Sequence, residues 1–179
     1  MSGSSGGGPA SAPSSGPRAG LLLKNLLFTV LVPGSVAVYV PLLLAPERTS
    51  GSWPFSLLGG GLLAVGGAIY AWCVYDFASF GRGTPAPIDA PQRLVERGLY
   101  RVSRNPMYLG VLTVILGWAA WYRAPSLVLY ALGVGLVFHA FVVLYEEPRL
   151  AELFGASYDA YRTRVGRWLR VGGGRAKPR

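Results

Sequence analysis

Four ionisable residues stand within or at the ends of long apolar runs: Asp76, His139, Glu146 and Glu147. A charge at membrane depth is costly, so each is a candidate for chemistry. A histidine can move a proton, and a carboxylate can take one or hold a cation. His139 and Glu146 are seven positions apart. On a regular helix they share one face, about 10 Å apart. A second polar concentration is Gly98–Gly110, GLYRVSRNPMYLG, with Tyr100, Arg101, Arg104, Asn105-Pro106 and Tyr108. Asn is a favoured N-cap and Pro a favoured first residue, so a helix is expected to open at Pro106. The free N–H groups of a helix start suit an anion, and two arginines add positive charge. The same residues also fit a plain interfacial role. Arg101 and Arg104 then mark a cytoplasmic helix end and pair with Glu146 and Glu147, Asp76 sits at the interface, and His139 is a packing residue. Charge and spacing leave both readings open.

The elements that must position these residues are apolar helices. The chain has 179 residues, is 51% hydrophobic and 14% charged, and has a mean hydropathy of +0.38. Soluble domains carry roughly 25% charged residues. Four uncharged segments recur: Asn25–Ala45, Trp53–Tyr75, Met107–Tyr122 and Pro125–Tyr145. Runs of about 18–23 residues match the ~30 Å hydrocarbon core at 1.5 Å per residue. The expectation is an all-α polytopic membrane protein with four transmembrane helices and cytoplasmic amphipathic C-terminal helices. Arg48 and Arg123 are the basic residues of two short loops, and the others lie in the N-terminal flank, the 80–106 connection or the C-terminal part. The positive-inside rule therefore puts both termini and that connection in the cytoplasm. The net charge of +9 fits anionic lipid head groups, not nucleic acid, in so apolar a chain. Glycines at 59, 60, 61, 66 and 67, with Gly133 and Gly135, are expected to let helices approach closely.

Residues 1–19 are rich in Gly, Ser, Pro and Ala and read as a disordered tail. Residues 20–170 form the membrane domain, and 171–179 a flexible basic tail. Pro148 can open a short helix that closes at Gly155, and Ser157 can cap a second. In that second helix Tyr158, Tyr161, Val165 and Trp168 fall near one face, which suits a membrane surface or the end of the bundle. The single Cys73 and single His139 suggest no metal site.

The ordered set Leu94-Val95, Gly98, Tyr100, Arg104-Asn105-Pro106, Tyr108, Glu146-Glu147, Phe154-Gly155, Tyr158 and Tyr161 resembles the isoprenylcysteine carboxyl methyltransferase and phospholipid N-methyltransferase family. The resemblance covers 81–169. It implies a membrane enzyme, in the bacterial inner membrane, that uses S-adenosylmethionine without a soluble nucleotide-binding domain. By position it implies that Gln92, Arg93, Leu94, Val95, Tyr100, Asn105, Pro106, Met107, Tyr108 and Glu146 bind the cofactor. Glu146 would meet the ammonium or ribose hydroxyls, the helix start the carboxylate, and the tyrosine faces the adenine or the cation.

An amine acceptor must lose a proton, and His139 or Glu147 is the expected base. The arginine by which the isoprenylcysteine enzymes hold a substrate carboxylate aligns with Val142 here, which tilts the acceptor toward a lipid amine or another small amphiphile. The other acceptor kept open is an isoprenylcysteine-type carboxylate. The competing reading is a non-catalytic membrane scaffold or lipid-binding protein that keeps the fold. A transporter is disfavoured by four helices without an inverted repeat.

Overall fold

The computed structural model describes Leu27, residues 31–45 and 52–77, Ser79, and residues 94–169. The expected tails, and Gln92 and Arg93, lie outside these. The described elements are helices: α1 (Leu31–Leu44), α2 (Trp53–Asp76), a 3₁₀ turn at Gly98–Arg101, α3 (Pro106–Tyr122), α4 (Pro125–Phe141), α5 (Glu147–Phe154) and α6 (Ala156–Arg164). A π turn, Val142–Glu146, joins α4 to α5 without a break. Proline stands in the first turn of α2, α3 and α4, where its missing N–H costs nothing and its fixed φ suits the helix.

Among the described residues two helices are long and apolar enough to cross a bilayer: α2, with 24 residues, and the continuous Pro125–Phe154, with 30. Leu31–Leu44 and Pro106–Tyr122 are apolar but shorter. Large apolar side chains such as Leu43, Trp53, Leu129, Leu136 and Leu144 are exposed along these helices. An apolar exterior of this extent needs lipid as its solvent.

α1 shows how sequence sets local form. Pro41 has no N–H, so it leaves carbonyls one turn earlier without a helical donor. The chain passes through a π turn at Ser35–Tyr39. The freed carbonyls are met from other helices: the Trp118 indole donates to Ala37 O at 3.1 Å, and the Tyr130 hydroxyl to Val36 O at 3.0 Å.

α2 packs on α3 more extensively than any other pair of described elements. Two glycines on one face of α2 meet two on α3. A methyl group on Gly66 would stand 2.7 Å from Gly110 O, and one on Gly59 would stand 2.8 Å from Gly117 O. Close approach is therefore built from Gly59, Gly66, Gly110 and Gly117, a set only partly expected. Gly61, Gly67 and Gly133 have open space where a side chain would be, and Gly135 makes ordinary contact with Leu112. The reason is rotational: 59 and 66 are two turns apart on one stripe, while 61 and 67 face away.

α5 ends at Gly155, as expected, with φ +49. That one residue turns the chain, so α6 starts at Ala156 and Gly155 takes the capping position expected of Ser157. Of the two roles expected for α6, at the membrane surface or against the end of the bundle, its packing agrees with the second, though it is shorter than the helix expected through Trp168. It stops at Arg164, and its aromatic face turns inward: Tyr158, Tyr161 and Val165 are buried against Leu94, Leu150, Ala151 and Phe154.

Candidate functional site

The polar residues gather where the start of α3, the π turn and the segment after α6 meet. α3 opens at Pro106 with Asn105 at the cap position, as its sequence predicts. The cap itself is not made, because no side chain bonds to the helix start. Asn105 Nδ2 donates instead to Arg167 O at 3.0 Å, and the Asn105 N–H donates to Ser103 Oγ at 3.0 Å. The Arg167 carbonyl has won the carboxamide, so the first turn of α3 keeps its N–H groups free of a side-chain partner.

Tyr108, in that first turn, donates its hydroxyl to Glu146 Oε2 at 3.0 Å and lies 4.6 Å, ring to ring, from Phe138. This contact joins α3 to the end of the π turn. Glu147 points to another set of partners. Arg104 Nη2 lies 3.1 Å from Glu147 Oε1, and Arg167 donates twice, at 2.7 and 2.9 Å. Arg104 also donates to the Tyr158 hydroxyl at 3.0 Å, while its buried Nε lacks a partner. The expected Arg104–Glu147 pairing is present; Arg101 is exposed.

Tyr100 is placed differently from a free aromatic wall. It is 7% exposed, packs edge-on against Phe77 and in one cluster with Cys73, and its carbonyl accepts the Tyr161 hydroxyl at 2.7 Å. Burial pushes both phenols above their ordinary range and keeps them neutral donors. Val95 and Met107 pack in the same cluster as Tyr100, and Leu94 packs under α6. The turn carrying Tyr100 is fixed by Gly98, with φ +55 and no space for a side chain beside the Asp76 carboxylate and Trp72 Nε1. Asp76 is buried, with Arg97 Nε at 3.5 Å.

His139 and Glu146 do not share a face as a regular helix would have it. The π turn Val142–Glu146 lies between them and adds a residue to the turn, a rotation of about 100°. His139 is exposed, and its Nδ1 accepts the Trp168 indole at 3.2 Å. Both expected bases thus already have partners. Val142 is fully buried, an apolar residue with no carboxylate-binding group to offer.

Nothing in the residue pattern singles out Ser103 or Arg167. Their contacts run through a hydroxyl, a backbone carbonyl and an ion pair to a residue 20 positions away, which leaves no periodic signal.

A helical protein with an apolar exterior thus brings a carboxylate, a phenol and an uncapped helix start together. The chain belongs to the phospholipid methyltransferase family, whose pattern matches residues 55–157, more than half of it. It is therefore a membrane methyltransferase, whose class of substrate is lipid. It is 35% identical over 63 residues, 35% of this chain, to the whole of an uncharacterised protein of Haemophilus influenzae. No solved structure matches.

Proposed function

We propose that this chain transfers a methyl group from S-adenosylmethionine to the amine of a membrane lipid. In this reading four helices span a bacterial inner membrane, with both termini and the site at the cytoplasmic face. Residues 20–170 are the catalytic domain between two tails. The observation that carries the reading is the Tyr108–Glu146 hydrogen bond of 3.0 Å beside the uncapped start of α3. It sets an anionic and a cationic half-site side by side, as an amino acid with both charges requires.

The residues present fit that group. Glu146 has one phenol partner and offers its remaining lone pairs to an ammonium or a hydroxyl. The start of α3 offers N–H groups to a carboxylate. When bound, S-adenosylmethionine supplies an electrophilic methyl group. Tyr108, Asn105, Pro106, Met107 and Glu146 hold it. Leu94, Val95 and Tyr100 support the site from behind, with Tyr100 acting through its buried, hydrogen-bonded position; the roles that the resemblance implies for Gln92 and Arg93 lie outside the described residues. The protein's contribution is orientation, which supplies much of the rate in a displacement of this kind.

The amine acceptor must be neutral to attack. His139 serves as base more readily than Glu147. To take a proton at Nδ1 it gives up one neutral indole bond, worth about 1 kcal/mol. Glu147 would have to leave two guanidinium groups. The buried Val142 supports an amine acceptor over a carboxylate one.

Incubating the purified protein with methyl-labelled cofactor and a membrane-lipid extract tests the reading. Label is expected in an aminophospholipid. Label in a prenylated cysteine would replace the acceptor, and no transfer into any extract would favour a non-catalytic scaffold. Calorimetry on Glu146→Ala and Tyr108→Ala tests the site, and undiminished cofactor affinity in both would sink it.

A further inference from the structure

We propose that Arg167 is a positioning residue that assembles the two halves of the site. The inference rests on reading residues 104–108 and 146–147 as the cofactor site. After α6 the chain runs as a strap, Val165–Leu169, across the start of α3 and the end of the π turn. Val165 is buried with Tyr158 and Tyr161 and anchors its near end. Gly166 O accepts the Arg104 N–H at 2.9 Å. Arg167 O accepts Asn105 Nδ2 at 3.0 Å and Ser103 Oγ at 3.3 Å. The Arg167 guanidinium grips both oxygens of Glu147, next in the chain to Glu146. Trp168 ties the far end to His139.

Arg167 therefore touches both halves at once: its side chain holds the π-turn half and its carbonyl holds the α3 half. A two-pronged guanidinium–carboxylate contact fixes distance and angle together, which a single bond cannot do. The neighbouring pairs differ in kind. Arg162–Asp159 joins two exposed side chains, and such pairs fix little. The carboxylate that Arg167 holds is 15% exposed and is shared with Arg104. By keeping the strap in place, Arg167 also keeps the Asn105 carboxamide turned from the cap position. Loss of the guanidinium frees the strap, releases Asn105 to cap its own helix, and lets Glu146 drift from Tyr108.

The test uses the full chain in lipid nanodiscs, with four variants: Arg167→Ala, Arg167→Lys, Glu147→Ala and the Arg167→Ala/Glu147→Ala double. Two quantities are read: S-adenosylmethionine affinity by calorimetry, and backbone hydrogen exchange over 103–109 without cofactor. Arg167→Ala is expected to weaken binding on the order of tenfold and to speed exchange at the Arg104 and Asn105 amides. Arg167→Lys, with the charge but not the fork, should recover part of both. The double variant should be no weaker than Glu147→Ala, because the Arg167 guanidinium acts through Glu147, whereas Glu147 also holds Arg104. Arg162→Ala, a folded control at an exposed pair, should leave both unchanged. Unchanged exchange in Arg167→Ala, or losses that add in the double variant, would overturn the proposal. A wild type with protected 103–109 amides that binds no S-adenosylmethionine would instead overturn the cofactor reading and leave the strap standing.

Discussion

Tyr108 and Gly98 show how much a single residue carries here. Tyr108→Phe keeps the ring on Phe138 and deletes the one donor seen on Glu146. A hydrogen bond to a charged group is worth about 1.5–3 kcal/mol. Cofactor affinity is expected to fall about tenfold, measured by calorimetry, and thermal stability to fall as well, because the lost bond lies within the protein. Gly98→Ala acts on the fold instead. Its φ of +55 and the Asp76 carboxylate against it leave no place for a methyl group. A loss of about 1–3 kcal/mol is expected in detergent-solubilised unfolding. His139→Gln should slow methylation of an amine acceptor by about a hundredfold or more while cofactor affinity holds; an unchanged rate rules out the base role. The types at these positions were legible in the sequence. Their partners were less so: Asn105 read as a cap because asparagine favours that role, and the competing carbonyl of Arg167 has no side-chain signature.

At the scale of elements, the helices and their starts were readable because prolines mark them. The start of α3 at Pro106 and the close of α5 at Gly155 follow directly from residue type. The π turn at Val142–Glu146 was not readable. A π turn inserts a residue without changing composition or hydropathy, so the spacing from His139 to Glu146 misleads. Helix packing was half readable: glycines were visible in α2, but which of them face α3 depends on rotation. Gly66→Ala is therefore expected to lower the melting temperature, as its methyl would press into Gly110 O at 2.7 Å. Gly61→Ala, in open space, should be neutral or raise stability by about 0.5–1 kcal/mol. Thermal unfolding of both in the same detergent settles the contrast; equal shifts would mean the α2–α3 contact is not close.

For the whole molecule, the membrane setting follows from composition; the expectation of four crossings comes from the apolar runs and that of their orientation from charge placement. The proposed topology, four crossings with cytoplasmic termini, would put Arg101 and Arg123 on opposite sides of the membrane. Cys73 is buried and is the one cysteine of the chain, so a Cys73→Ala background permits labelling. A membrane-impermeant maleimide added to intact cells should modify Arg123→Cys and not Arg101→Cys. Labelling of Arg101→Cys from outside would invert the topology. The strap remained invisible at this scale as well, because it is a short irregular segment whose contacts reach back to 103–105, 139 and 147.

The π turn at Val142–Glu146 has a consequence for how this chain can vary. It is an insertion absorbed by the helix, so it is also a place where one residue can be lost. A deletion there would restore an unbroken α-helix and leave the apolar span nearly as long. It would swing everything beyond it, including Glu147 and α5, by about 100°. Gain or loss of one codon at this point is thus a small sequence change with a large effect on which side chains face α3. Relatives matched by hydropathy alone would look equivalent while presenting different residues to the site.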